Sequence, residues 1–264
     1  MKYAYPIVCI FILAFCDESG RQAVGSKISS DSLKKFSYRV TGYTSVTYAA
    51  IDGTGCFFKK DGRLYLITAK HVLSGCMMQG KKIWKDDDYP DVMFISGSDH
   101  TSLTLDIKVI KDTSSCLPLL KSPDIIAVEV QNKFQMKIYS IENFVSSSII
   151  SDGDIEIFGF PSDSNIKNNR ANFSASAGNL HWSAKDYDLG PSHLANNIVL
   201  NKNENIPMDR PLKGYSGSPV FFKQKNSDQW GIVGIISGVM TDSIRNQNYF
   251  IIPKIDLAIS KKNN

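Results

Sequence analysis

Ser216 lies in the string Gly214-Tyr215-Ser216-Gly217-Ser218-Pro219, where two glycines and a proline shape a tight loop around one hydroxyl. A serine hydroxyl is a weak nucleophile by itself. It needs a base within hydrogen-bond reach and a third group to orient that base. Four histidines are present, and His71 follows Leu64-Tyr65-Leu66-Ile67-Thr68-Ala69-Lys70, an apolar run of strand length that ends in small residues. That context puts an imidazole at a strand exit. Asp124 opens Asp124-Ile125-Ile126-Ala127-Val128-Glu129-Val130, a carboxylate directly ahead of a run that reads as a buried strand. Hydroxyl, imidazole and carboxylate together suit nucleophilic acyl transfer with general acid–base assistance. Taken singly, each has a blander reading, since an aspartate before a strand is commonly a turn residue. The other histidines, His100, His181 and His193, sit in polar stretches and read as surface.

Thr-Ala-x-His, Asp-Ile-x-Ala-Val and Gly-x-Ser-Gly-x-Pro, in that order, resemble the trypsin-like (chymotrypsin-fold) serine peptidases. The order His, Asp, Ser differs from that of subtilisin-like and α/β-hydrolase enzymes. Gly53-Thr54-Gly55 and Gly159-Phe160-Pro161 are similar to strings in bacterial members such as glutamyl-endopeptidase and HtrA-type proteases, so the resemblance spans roughly residues 40 to 258. It implies that Ser216 attacks the scissile carbonyl, that His71 takes and returns the proton, and that Asp124 fixes the imidazole tautomer. It also implies an oxyanion hole made by the backbone N–H groups of Gly214 and Ser216, with glycine at 214 because the loop must turn an amide inward there.

Some positions depart from the family's animal members. Tyr215 stands where those carry an aspartate that pairs with a new N-terminal amine, so that activation switch is not expected. Ser218 replaces a second glycine, as in the glutamyl-endopeptidase-like group. The resemblance further makes Ile236-Ser237-Gly238 a strand edge for substrate backbone, with residues 210 to 213 walling the specificity pocket. Arg210 is either a cationic pocket floor favouring acidic side chains or a solvated loop residue, and Lys213 could bias the rim the same way. Asp86-Asp87-Asp88 reads as a solvated acidic loop or, less simply, as oxygen ligands for calcium.

The elements that must position these groups are short. Apolar runs recur between turn signals at 64–68, 92–95, 103–110, 125–130, 155–160, 220–222 and 231–236, and long helical periodicity is scarce. The fold class is therefore all-β. The resemblance makes it two six-stranded antiparallel barrels, about 36–145 and 150–262 within a peptidase domain of 36–262, with His71 and Asp124 on the first and Ser216 on the second. A short C-terminal helix is expected over 253–259, where Ile255, Ala258 and Ile259 share a face.

Residues 1–16 read as a secretory signal, with Lys2 ahead of an apolar stretch from Tyr3 to Phe15, and 17–35 as a polar linker. Leu13-Ala14-Phe15-Cys16 resembles a bacterial lipoprotein box. Cys16 is then either lipidated, attaching the protein to a membrane, or lost to ordinary cleavage nearby. Export to the periplasm, the envelope surface or the medium follows. Of five cysteines, Cys56, Cys76 and Cys116 fall in the mature domain. Many trypsin-like enzymes start a disulfide fifteen residues before the histidine, at the place of Cys56. The resemblance thus suggests a Cys56–Cys76 bridge, the alternative being two buried thiols. No spacing suggests a metal site, and no cofactor is implied. A formal charge of +4 over 264 residues, with scattered lysine pairs and no basic stripe, gives no support to nucleic-acid binding.

The expected activity is that of an exported serine-type endopeptidase, a hydrolase acting on peptide or protein substrates. Two other readings stand beside it: a catalytically silent protease-like module that binds peptides, and a cytoplasmic stress or defence peptidase.

Overall fold

The computed structural model describes residues 29–43, 50–74, 92–97, 102–106, 123–130, 138–141, 152–161, 178–182, 187–189, 197–202, 214–242 and 247–257. They form fifteen strands and very little helix. In the first lobe, β1 (Ser37–Tyr43) pairs antiparallel with β2 (Ala50–Lys60), and β2 with β3 (Arg63–Thr68) through the turn at Asp61-Gly62, where both residues adopt positive φ. β4 (Val92–Gly97), β5 (Ser102–Asp106) and β6 (Ile126–Val130) extend the sheet to the order β5-β4-β1-β2-β3-β6. A short β7 (Ser140–Ile141) lies parallel to β2.

The second lobe has two four-stranded sheets. One runs β13-β12-β8-β9, from β8 (Gly153–Gly159), β9 (Gly178–Trp182), β12 (Pro219–Gln224) and β13 (Trp230–Ile235). The other runs β10-β11-β15-β14, from β10 (Tyr187–Leu189), β11 (Asn197–Lys202), β14 (Gly238–Asp242) and β15 (Gln247–Pro253). The protein is thus mostly β, with seven, four and four strands in open sheets among the described residues rather than in two closed six-stranded rings.

Alternation along the strands explains how the lobes join. In β8, Ile155 and Ile157 face one way, into a core with Tyr215, Val220, Phe222 and Phe250. Phe158 faces the other way and meets Phe221 of β12, joining the core that holds Phe57, Leu66, Ile67 and Val128 of the first lobe. A side chain as large as Phe57 or Phe222, fully buried, contributes about 1.5 to 3 kcal/mol. The two lobes therefore share apolar packing, which fixes them as a frame for a site at their junction.

The segment expected as the end of a polar linker is structured. α1 (Ser30–Leu33) and a 3-10 turn (Lys34–Phe36) bury Leu33 and Phe36 in the shared core, and Ser30 Oγ donates to Glu156 Oε1 at 2.8 Å. At the other end β15 continues through Pro253. A helical turn begins only at Asp256, where Leu257 N donates to Lys254 O. Pro253 and the Gly234–Lys254 bridge keep the chain extended up to that point.

Candidate active site

The antiparallel register of β3 and β6 explains why His71 and Asp124 meet. Thr68 sits opposite Ile126, so the end of one strand and the start of the other fall at the same edge of the sheet. Asp124 precedes Ile126 by two residues. His71 follows Thr68 by three, in the first turn of α2 (Lys70–Ser74), which is closed by Val72 N donating to Ala69 O. Ala69, Val72 and Leu73 are buried and seat this turn on the core.

Asp124 receives three hydrogen bonds. The His71 backbone N–H donates to Oδ1 at 2.9 Å, His71 Nδ1 lies 2.6 Å from Oδ2, and Ser237 Oγ donates to Oδ2 at 2.6 Å. The side chains are 20% and 9% exposed for His71 and Asp124 respectively. Burial alone would raise the Asp124 carboxyl, but the hydrogen bonds and charge of His71, with the Ser237 hydroxyl, outweigh it and hold the group below its usual range. Asp124 is therefore an ionised acceptor at neutral pH. An acceptor-only partner at 2.6 Å requires a proton on Nδ1, so in the neutral imidazole it is Nε2 that carries the lone pair.

The serine loop is fastened to the first lobe through β2. Thr54 N donates to Ser216 O at 2.7 Å, and Thr54 Oγ1 donates to Gly214 O at 2.8 Å. Gly53 fits between the two halves of the site. A Cβ there would lie 2.7 Å from both methyls of Val72, next to His71, and 3.0 Å from Ser216 O. Gly217 has φ of +86°, and a Cβ on it would stand 1.9 Å from Thr54 O, so only glycine lets the loop approach this closely. Gly214 has φ of +93°. Ser218 N donates to Tyr215 O at 2.9 Å, which turns the Ser216 N–H of the same peptide plane the opposite way. The Tyr215 ring is fully buried against Gly159, so an aromatic side chain anchors the loop from below.

Ile236 requires a correction. Its N–H donates to Ser218 O at 2.8 Å, its C=O accepts from Gly217 N at 2.6 Å, and its side chain is buried in the second core. Both main-chain groups are spent bracing the serine loop, so Ile236 offers no edge to a substrate. Ser237 also differs from its expected role, because its hydroxyl serves Asp124 and its N–H donates to Ile251 O. Gly238 begins β14, which pairs with β15 on one side and ends the path of its sheet among the described residues. The expected Cys56–Cys76 bridge is likewise not formed. Cys56 is a free thiol whose side chain points into the first core, and burial pushes it well above the ordinary thiol range. Arg210, Lys213, Cys76, the Asp86–Asp88 run and the N-terminal segment with Cys16 lie outside the described residues.

Thr54 and the Asp124 contact of Ser237 escape a reading of the sequence alone. The available signal for Thr54 is small residues on both sides of it in a strand, which marks close approach of another backbone.

Among solved structures, the chain is similar to a thermostable serine protease, AL20, from an extremophilic microorganism. The TM-score is 0.52 at 12% identity, covering 89% of this chain and 100% of that one. It also overlaps the protease of tobacco vein mottling virus, with a TM-score of 0.46 at 11% identity, covering 89% of this chain and 84% of that one. The class so defined is one of fold, the chymotrypsin-like arrangement of strands. No protein-family model matches the sequence, and no curated protein matches it.

Proposed function

We propose that this chain is an exported serine endopeptidase that cleaves peptide bonds through an acyl-enzyme on Ser216, with His71 as base and Asp124 as its orienting partner. The observation that carries this reading is the triply bonded Asp124 carboxylate, which leaves His71 Nε2 as the basic nitrogen, in a frame where Thr54 ties the Ser216 loop to the same lobe. In the reaction, Ser216 Oγ adds to the scissile carbonyl as its proton passes to Nε2. The C–N bond then breaks as that proton moves to the leaving amine, and water, deprotonated by the same nitrogen, releases the acid product and restores the serine. Asp124 stays ionised and stabilises the imidazolium. The N–H groups of Gly214 and Ser216 receive the oxyanion, and the side of β14 that is unpaired among the described residues takes an extended substrate as an added strand.

The likeness to AL20 supports a chymotrypsin-like frame. Incubation of the mature protein with a denatured protein substrate should generate new termini, absent with Ser216→Ala. Capture of peptides with neither cleavage nor an acyl adduct would select the binding-module reading instead. The mature N-terminal mass, expected to begin near residue 17, tests export.

A further inference from the structure

Thr54 is fully buried and makes more directed contacts to the serine loop than packing requires. Its main-chain N–H holds Ser216 O at 2.7 Å, and its side chain holds Gly214 O at 2.8 Å. The carbonyls at both ends of the arc Gly214–Ser216 are therefore pulled onto a single residue of the opposite lobe. The hydroxyl's polarity is also set. Phe160 N donates to Thr54 Oγ1 at 3.1 Å, so the hydroxyl accepts there and directs its own proton to Gly214 O. Thr54 O also accepts from Thr68 Oγ1 at 2.6 Å, a bond on the main chain of Thr54 and not on its hydroxyl.

We infer that Thr54 is a positioning residue that holds the Gly214 amide in the orientation that receives the oxyanion, an inference that rests on the serine-peptidase reading above. Gly214 is the softest joint in the arc, since glycine at φ of +93° meets little resistance to rotation. The Ser216 amide is already fixed by the Ser218 N to Tyr215 O bond. Among the described residues, no corresponding bond fixes the Gly214 amide. Fixing the Gly214 carbonyl through the chain Phe160 N–H, Thr54 hydroxyl, Gly214 C=O anchors one side of that α-carbon, so the Gly214 amide is left with rotation about a single residue rather than with movement of the whole arc. A β-branched residue suits the task, because its χ1 is stiff. Because Phe160 follows the end of β8, both lobes contribute to aligning one donor.

The test compares Thr54→Val, which keeps the shape and removes the hydroxyl, with Thr54→Ser, which keeps the hydroxyl. Thr68→Val is the control. It removes a buried hydrogen bond from the same cluster and leaves the bond to Gly214 O in place. The readouts are the rate of fluorophosphonate reaction at Ser216, and kcat and KM on a small activated ester. Thr54→Val is expected to slow labelling and lower kcat roughly tenfold to a hundredfold, less than loss of an oxyanion donor itself, with KM within about twofold. The midpoint of the pH–rate profile should not move, since His71 and Asp124 are untouched. Thr54→Ser is expected to recover most of the rate, and Thr68→Val to lose stability with little loss of rate. If Thr54→Val does not fold, Thr54→Ala is read in the same way. A folded hydroxyl-free variant labelled as fast as wild type, or Thr68→Val slowed as much as Thr54→Val, overturns the inference while leaving the peptidase reading intact. Wild type that takes no label overturns both.

Discussion

Gly217→Ala is the substitution whose cost is most directly worked from the geometry. The new Cβ would stand 1.9 Å from Thr54 O and 2.2 Å from Thr68 Oγ1, and real Cβ contacts are essentially never under 3.0 Å. The loop must therefore retreat by at least 1.1 Å from the first contact. The two atoms it strikes are themselves hydrogen-bonded at 2.6 Å, so they do not yield cheaply. Retreat breaks the bonds that hold the loop, Gly217 N to Ile236 O at 2.6 Å and Thr54 N to Ser216 O at 2.7 Å. A left-handed backbone costs a residue with a β-carbon about 1 to 2 kcal/mol, and each of the two buried bonds lost adds about 1 to 3 kcal/mol, for a total of about 3 to 8 kcal/mol. That is a large share of the ordinary stability of a folded protein. Urea denaturation of wild type and variant measures the loss, and fluorophosphonate labelling under native conditions measures the serine. Stability within about 1 kcal/mol of wild type together with undiminished labelling would refute the reasoning, because the close approach of Gly217 to Thr54 would then be wrong.

Other expectations follow from the same contacts. Ser237→Ala removes one of three donors to Asp124, so stability should fall by about 1.5 to 3 kcal/mol and the Asp124 carboxyl should rise toward its ordinary range, a shift followed by NMR titration. Because the folded state holds that carboxyl low, it stays deprotonated where the unfolded chain takes up a proton. Its stabilising contribution is therefore complete above the ordinary aspartate value of about 3.9 and is lost as pH falls through the folded value. The stability gap between wild type and Asp124→Asn, from urea titrations across pH, should be flat above about pH 5 and close below about pH 4. Gly159→Ala would put a Cβ 2.3 Å from Ser218 Oγ and 2.4 Å from Tyr215 Cδ1, and should impair both folding and labelling. Gly62→Asn, at φ of +75° with open space around it, should change stability by less than about 1 kcal/mol. Cys56 should resist a thiol reagent in the native protein and react only on unfolding.

The strands with continuous apolar runs are legible in the sequence, and β3, β4, β6, β8, β12 and β13 lie where those runs fall. β2 is not, because Gly53, Thr54 and Gly55 break the apolar pattern, Gly53 and Thr54 to admit the serine loop and Gly55 to admit Leu66 and Ile67 of β3. His71 and Asp124 are legible because each sits at the end of a strand whose partner is its neighbour in the sheet. The tight loop around Ser216 is legible because it needs glycine at φ values that other residues avoid. Local sequence does not reveal bonds between distant segments. The hydroxyl of Ser237 reaches an aspartate 113 positions away, and that of Thr54 a carbonyl 160 positions away. Ile236 illustrates the same limit. The family resemblance makes it part of a substrate-binding strand edge, yet its main chain is consumed by a loop that precedes it by some twenty residues.

The central claim is that the His71–Asp124 pair activates Ser216, and covalent labelling tests it most directly. Wild type, His71→Ala and Ser216→Ala are each treated with a fluorophosphonate, and the adduct is located by peptide mass spectrometry. The expected result is a single adduct on Ser216 in wild type, none in Ser216→Ala, and labelling slowed by roughly a thousandfold or more in His71→Ala. A folded, mature wild-type protein that takes no label, or one labelled equally fast without His71, would contradict the account.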